Sequence, residues 1–153
     1  MSMEIYLLSD QDVPSTQAWQ KAIDALGFDV RFLDDETLQT KEVRLRTEYL
    51  KTPVLMELSR SGLAELREIF PKVAFPEHVA HIHTLRWSMS FEGSAAAYQA
   101  AAAYVGLVKG LMIDSEEGNL KTPDGAIELA RSVAADVSVA HEALVNLFGQ
   151  AKK

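Results

Sequence analysis

The 153-residue chain is 48% hydrophobic and 24% charged, the balance of one ordinary globular domain rather than of a disordered segment. It has no cysteine, which excludes disulfides, thiolate metal sites and a cysteine nucleophile. Its formal net charge of −7 opposes phosphate backbones, so nucleic-acid binding is not expected, and any charged partner is expected to be basic.

The N-terminal MSMEIYLLSDQD has no basic region before its short apolar run, and acids follow directly. It does not read as a secretory leader, so the cytoplasm of a bacterial cell is the expected compartment. Residues 3–8 read as a strand. In DVPSTQAWQKAIDALG, Ser15 or Thr16 can cap a helix on which Ala18, Trp19, Ala22, Ile23 and Leu26 recur at helical spacing, with Gly27 as the left-handed stop. Residues 28–33 read as a second strand.

The segment 34–53 admits two conformations. Val43, Leu45, Thr47 and Tyr49 alternate with Arg44, Arg46 and Glu48, which favours a half-exposed strand over a helix capped by Asp35 or Thr37. Pro53 then marks a turn into a strand over 54–59, and GLAELREIFP reads as a short helix stopped by Pro71. Residues 81–91 read as a long strand with His81, His83, Leu85, Trp87, Met89 and Phe91 on its core face.

The last third reads as helical. Residues 92–110 are alanine-rich and hold Gln99 and Lys109, which fits a buried helix of a soluble domain better than a membrane span. A turn over SEEGN precedes a helix capped by Thr122, with Pro123 at its first position and Asp124 in its first turn. Val133, Val137, Ala140, Leu144 and Phe148 form its expected apolar stripe, and Gly149 its expected end. The order β-α-β-β-β-α-β plus two helices predicts a single α+β domain: a ferredoxin-like, split βαβ mixed or antiparallel sheet with helices on one face. A two-helix extension begins near residue 92.

Three stretches invite a chemical reading. His78, His81 and His83 are three of only four histidines. His81 and His83 point the same way on a strand and can share a metal, with His78, His141 or a carboxylate as the third ligand that zinc requires; no HExxH spacing supplies one, and partly buried, hydrogen-bonded histidines are expected instead. LLSDQDV resembles the nucleophile motif of haloacid-dehalogenase-type phosphatases through Asp10 and Asp12. The resemblance implies magnesium-assisted phosphoryl transfer, with Ser59 in the second motif, Lys72 or Lys109 as the lysine and Asp114 as the final acid. The glycine and threonine usual after the second aspartate are missing here. DSEEGN fails as a calcium loop because its glycine falls fifth and position twelve is Gly125.

The tail GLMIDSEEGNLKTPDGAIELAR, behind its alanine-rich helix, resembles small uncharacterised bacterial proteins, some similar to immunity proteins of toxin systems. The resemblance implies a cytosolic, cofactor-free protein that blocks a toxin by binding it. A non-enzymatic protein-binding role is therefore the expectation, with Asp34, Asp35, Glu36, Asp114, Glu116 and Glu117 as the acids that would meet a basic partner. The alternatives are a small metal-dependent hydrolase using Asp10/Asp12 or His78/His81/His83, and a homodimer joined through the alanine-rich helix. No catalytic residue, metal or cofactor is assigned, and neither nucleic acid nor membrane is an expected partner.

Overall fold

The computed structural model describes residues 2–38 and 42–151. The side chains of His141 and Phe148 lie outside what is described. In chain order the elements are β1 (Ser2–Ser9), α1 (Thr16–Ala25), β2 (Val30–Phe32), β3 (Glu42–Tyr49), β4 (Thr52–Arg60), α2 (Leu63–Ile69), β5 (His81–Ser88), α3 (Phe91–Val108), β6 (Leu111–Asp114) and α4 (Pro123–Ala151). The strands form one open sheet in the order β2-β3-β4-β5-β1-β6, every neighbouring pair antiparallel.

β5 and β6 both run antiparallel to β1, which lies between them, and α3 connects them. α3 therefore crosses from one side of β1 to the other. The α1 crossover instead spans three strands, because β2 lies at the far edge of the sheet. β6 was not foreseen: four residues, LMID, pair with β1 over Ile5–Leu8 and add the sixth strand.

Alternation assigns each strand's two faces. Ile5 and Leu7 of β1, Leu85 and Trp87 of β5, Met56 and Leu58 of β4 and Val43 and Leu45 of β3 bury one face against α1, α3 and α4. Tyr6, Leu8, Ile82 and Ile113 bury the other face against Leu66 of α2, with Phe70 and Phe75 from the loop beyond it. Helical cover thus lies on both faces, not one. The opposite face of β3 carries Arg44 and Arg46 to solvent, as the alternation predicted for this half-exposed strand.

α3 is the centre of the larger core. The alanines at 95–97 and 100–103 are all 0–1% exposed, and their small side chains let neighbouring groups close on the helix. Trp19 reaches it so closely that its indole N–H donates to the Ala100 carbonyl at 2.8 Å. This leaves the alanine-rich surface no room to serve as a homodimer interface.

Two termini differ from expectation. The Ser90 hydroxyl accepts the Gly93 N–H at 2.9 Å and starts α3, so β5 stops at Ser88. Met89 and Phe91 are consequently 57% and 50% exposed rather than core residues. At the other end Lys109, not a glycine, takes the left-handed conformation (φ +53°). Gly110 is needed for space: a Cβ there would overlap the Leu8 carbonyl oxygen where the chain passes β1.

α4 continues through Gly149 to Ala151. Ala126, Ala130 and Val137 are buried, with Ile127, Leu129 and Val133 packed beside them. Beyond Val137 the helix leaves the core: Leu144 of the expected stripe is 41% exposed, and Val139, Val145 and Leu147, which lie off that stripe, are 67%, 59% and 62% exposed.

Candidate functional site

Antiparallel pairing of β1 with β5 sets Ser9 opposite His81 and Leu7 opposite His83. The aspartates just after β1 and the histidines at the start of β5 are therefore parts of one place, although they lie some seventy residues apart. The Ser9 hydroxyl accepts the Gln11 N–H at 2.9 Å and turns the chain as it leaves the sheet. Asp10 then accepts the Ala80 N–H at 3.2 Å. Asp12 turns to the helical side, where Arg60 of β4 donates to its Oδ2 at 3.0 Å.

Behind this ion pair lie the two imidazoles. His81 Nδ1 is 3.7 Å from Asp12 Oδ2, and His83 Nε2 is 4.0 Å from Asp12 Oδ1. His83 is 2% exposed, and its Nδ1 lies 3.2 Å from the hydroxyl of Tyr104 on α3. Which of the two atoms donates in this bond depends on the His83 tautomer, and the other ring nitrogen, Nε2, faces Asp12. Burial lowers the His83 pKa below the usual imidazole value; Arg60 and His81 lower it further, against the attraction of Asp12. His83 is therefore neutral at neutral pH. Burial, reinforced by the Asp12 charge, raises the pKa of Tyr104.

Asp12 Oδ1, His81 Nδ1 and His83 Nε2 are buried without a hydrogen-bond partner. Such atoms are rare in folded proteins and each costs on the order of 1–3 kcal/mol. Their spacing suits a metal poorly. An ion at about 2.1 Å from both Asp12 Oδ1 and His83 Nε2 would have to lie almost on the line joining them. Among the described residues no three carboxylate, imidazole or thiol groups could hold a metal ion. His78 is set apart, lining a shallow cleft with Ser9, Asp10, Val79 and Lys109.

The other residues of the phosphatase pattern do not join this cluster. Asp114 pairs with Ile5 at the opposite end of β6 from Leu111, which faces Leu8. It is 1% exposed, accepts the Tyr98 hydroxyl at 2.7 Å and accepts the Glu117 N–H at 3.3 Å. Ser59 lies within β4, paired with Glu42 and Thr84.

The expected partner-facing acids separate into tied and free-standing groups. Asp34 is gripped by Arg46 through two hydrogen bonds of 2.8 and 3.2 Å. Glu36 is half-buried and its backbone is fastened to Thr16, while Asp35 is exposed. Glu117 pairs with Lys121 at 2.6 Å and Glu116 is exposed. Asp114, buried under Tyr98, is closed to any partner.

The exposed apolar side chains were not anticipated. Besides the outer part of α4, they include Leu50 at the β3–β4 turn, which is 65% exposed. Leu50, Tyr49, Glu92, Val137 and Glu142 line one groove, so the β3–β4 turn, the start of α3 and the point where α4 leaves the core adjoin one another. The available sequence signal was the Ser90 cap, which removes Met89 and Phe91 from the strand.

These features define an α+β protein with an open antiparallel sheet, a polar cluster at one strand end and an apolar surface around the outer part of α4. No protein-family model matches the chain, and no curated protein or solved structure matches it at a significant level. No helix among the described residues is long and apolar enough to cross a membrane.

Proposed function

We propose that this chain is a non-enzymatic binding protein that captures a basic protein partner in the bacterial cytoplasm, as an immunity protein captures its toxin. The observation that carries this is the outer part of α4, where Val139, Leu144, Val145 and Leu147 are exposed beyond the last core contact at Val137. Four large apolar side chains left exposed within nine residues of one helix are surface that binding to a partner would cover. The net charge of −7 adds attraction toward a basic partner and faster encounter. The resemblance of the tail to immunity proteins supports the same role.

The test is affinity capture of the full chain and of Val145→Asp/Leu147→Asp from cells expressing each at equal level, with proteins identified by mass spectrometry. A basic partner recovered with the wild type and lost with the variant supports the proposal. Recovery of the chain alone favours a homodimer, and equal recovery by both proteins removes α4 from the interface.

A second role rests on Asp12, His81 and His83, whose unpartnered atoms face one another. It is an acid–base site in which Asp12 faces both imidazoles and Tyr104 is hydrogen-bonded to the His83 ring. Magnesium-dependent turnover of phosphate esters that disappears in Asp12→Asn would support a hydrolase. The splayed ligand spacing and the remote Asp114 weigh against one.

A further inference from the structure

The two oxygens of the Asp12 carboxylate are served unequally. Arg60 of β4 donates to Oδ2 at 3.0 Å, and His81 Nδ1 lies 3.7 Å from the same oxygen. Oδ1 has no donor; across from it, at 4.0 Å, stands His83 Nε2, which has no partner either. Both atoms are buried, so bulk solvent does not satisfy them. The other nitrogen of His83 is already engaged by Tyr104 of α3.

The 4.0 Å separation selects what can join the two atoms. It is too long for a direct hydrogen bond. A metal at about 2.1 Å from each would be forced onto the line between them. An oxygen at about 2.8 Å from each would see them about 90° apart, an angle that the donors and lone pairs of one water molecule can serve. Charge points the same way: the Arg60 guanidinium already faces this carboxylate and opposes a second cation beside it. A neutral group that both donates and accepts also fits either tautomer. It accepts from Nε2 when that nitrogen carries the proton and donates to it when it does not, donating to Oδ1 in both cases.

We propose that Asp12 Oδ1 and His83 Nε2 bind one internal water molecule between them. Internal waters settle where buried polar groups otherwise lack partners, and two such groups face one another here. The site goes beyond the protein-binding role proposed above and does not depend on it. Through it a continuous hydrogen-bonded path runs from Tyr104 of α3 through His83 and the water to Asp12 and on to Arg60 of β4. The loop after β1 is thereby tied to a helix and to two strands of the sheet. The side chains of Asp12 and His81 keep 22% and 27% exposure, so the water exchanges from this rim without opening the core.

The test is a high-resolution crystal structure of the full chain at neutral pH, with anomalous data, joined to water–protein nuclear Overhauser spectra in solution. The crystal is expected to show a water-sized peak within about 3.2 Å of both Asp12 Oδ1 and His83 Nε2 and no anomalous signal there. In solution the His83 ring protons are expected to show cross-peaks to water with the sign of a long-resident molecule. Tyr104→Phe is expected to keep these cross-peaks, which separates a bound water from exchange through the Tyr104 hydroxyl, and Asp12→Leu is expected to lose them. A direct Asp12–His83 hydrogen bond, an empty gap between the two atoms, or a peak at about 2.1 Å with an anomalous signal would overturn the water site. So would cross-peaks that vanish in Tyr104→Phe or persist in Asp12→Leu.

Discussion

Asp12 and His83 face one another across 4.0 Å with neither Oδ1 nor Nε2 partnered, one from the loop after β1 and the other from the second turn of alternation in β5. That gap is too wide for a hydrogen bond, yet both atoms are closed off from solvent. The pair makes the polar cluster sensitive to protonation.

The folded-state pKa of His83 lies below the ordinary imidazole value because burial disfavours the cation. Folding therefore favours the deprotonated ring. This contribution to stability is fully present above the unfolded-state value of about 6.5 and is lost as the pH falls through that value toward the folded pKa. The wild type is expected to lose stability on acidification below that point, and His83→Gln should flatten this limb. Denaturant midpoints measured across the acidic range test it, and parallel profiles for both proteins would assign the pH dependence elsewhere.

Trp87 is 2% exposed, stacks edge-on with Tyr98 at 5.8 Å and donates to Ser94 at 3.3 Å. Trp87→Ala should destabilise by about 3–5 kcal/mol, the cost of deleting a large buried aromatic. A denaturant midpoint close to wild type would place Trp87 outside the packed core.

Gly110→Ala should cost about 1–3 kcal/mol through overpacking, because the added methyl meets the Leu8 carbonyl rather than a movable side chain. Gly106→Ala, where an added Cβ meets nothing within 4 Å, is the matched control and should be neutral or stabilising. Equal midpoints for the two variants would contradict the close approach of the α3–β6 connection to β1.

Replacing Asp34, Asp35 and Glu36 together by Asn, Asn and Gln should cost less than about 1 kcal/mol, since the Asp34–Arg46 pair is exposed and such pairs contribute little. If these acids steer a basic partner, the association rate should fall and its dependence on ionic strength should flatten. Stopped-flow association rates at several salt concentrations check both, and unchanged rates and slopes would remove this cluster from the encounter.

The strands with strict alternation were legible: β3 could be read from Val43, Leu45, Thr47 and Tyr49 because one face is buried and the other carries arginines. β5 was read too long, since Met89 and Phe91 continue the alternation and only the Ser90 cap ends it. β6 was missed because four residues carry no periodicity; its strand character comes from pairing with β1. Asp114 read as a partner-facing acid because nothing local announces the Tyr98 hydroxyl above it. Leu144 continues the core spacing of α4, but sequence does not reveal where a helix outruns the sheet beneath it. Asp12 and His83 were each noticed, yet their meeting depends on the β1–β5 register, a relation between distant segments that no motif encodes.

The most direct measurement is hydrogen–deuterium exchange on the full chain, free and bound to the partner recovered by affinity capture. Binding through the apolar surface predicts new protection in residues 49–52 and 137–147, with residues 9–13 and 81–84 unchanged. Protection confined to residues 9–13 and 81–84, with the outer part of α4 exchanging as in the free protein, would contradict it and shift the function to the Asp12–His83 cluster.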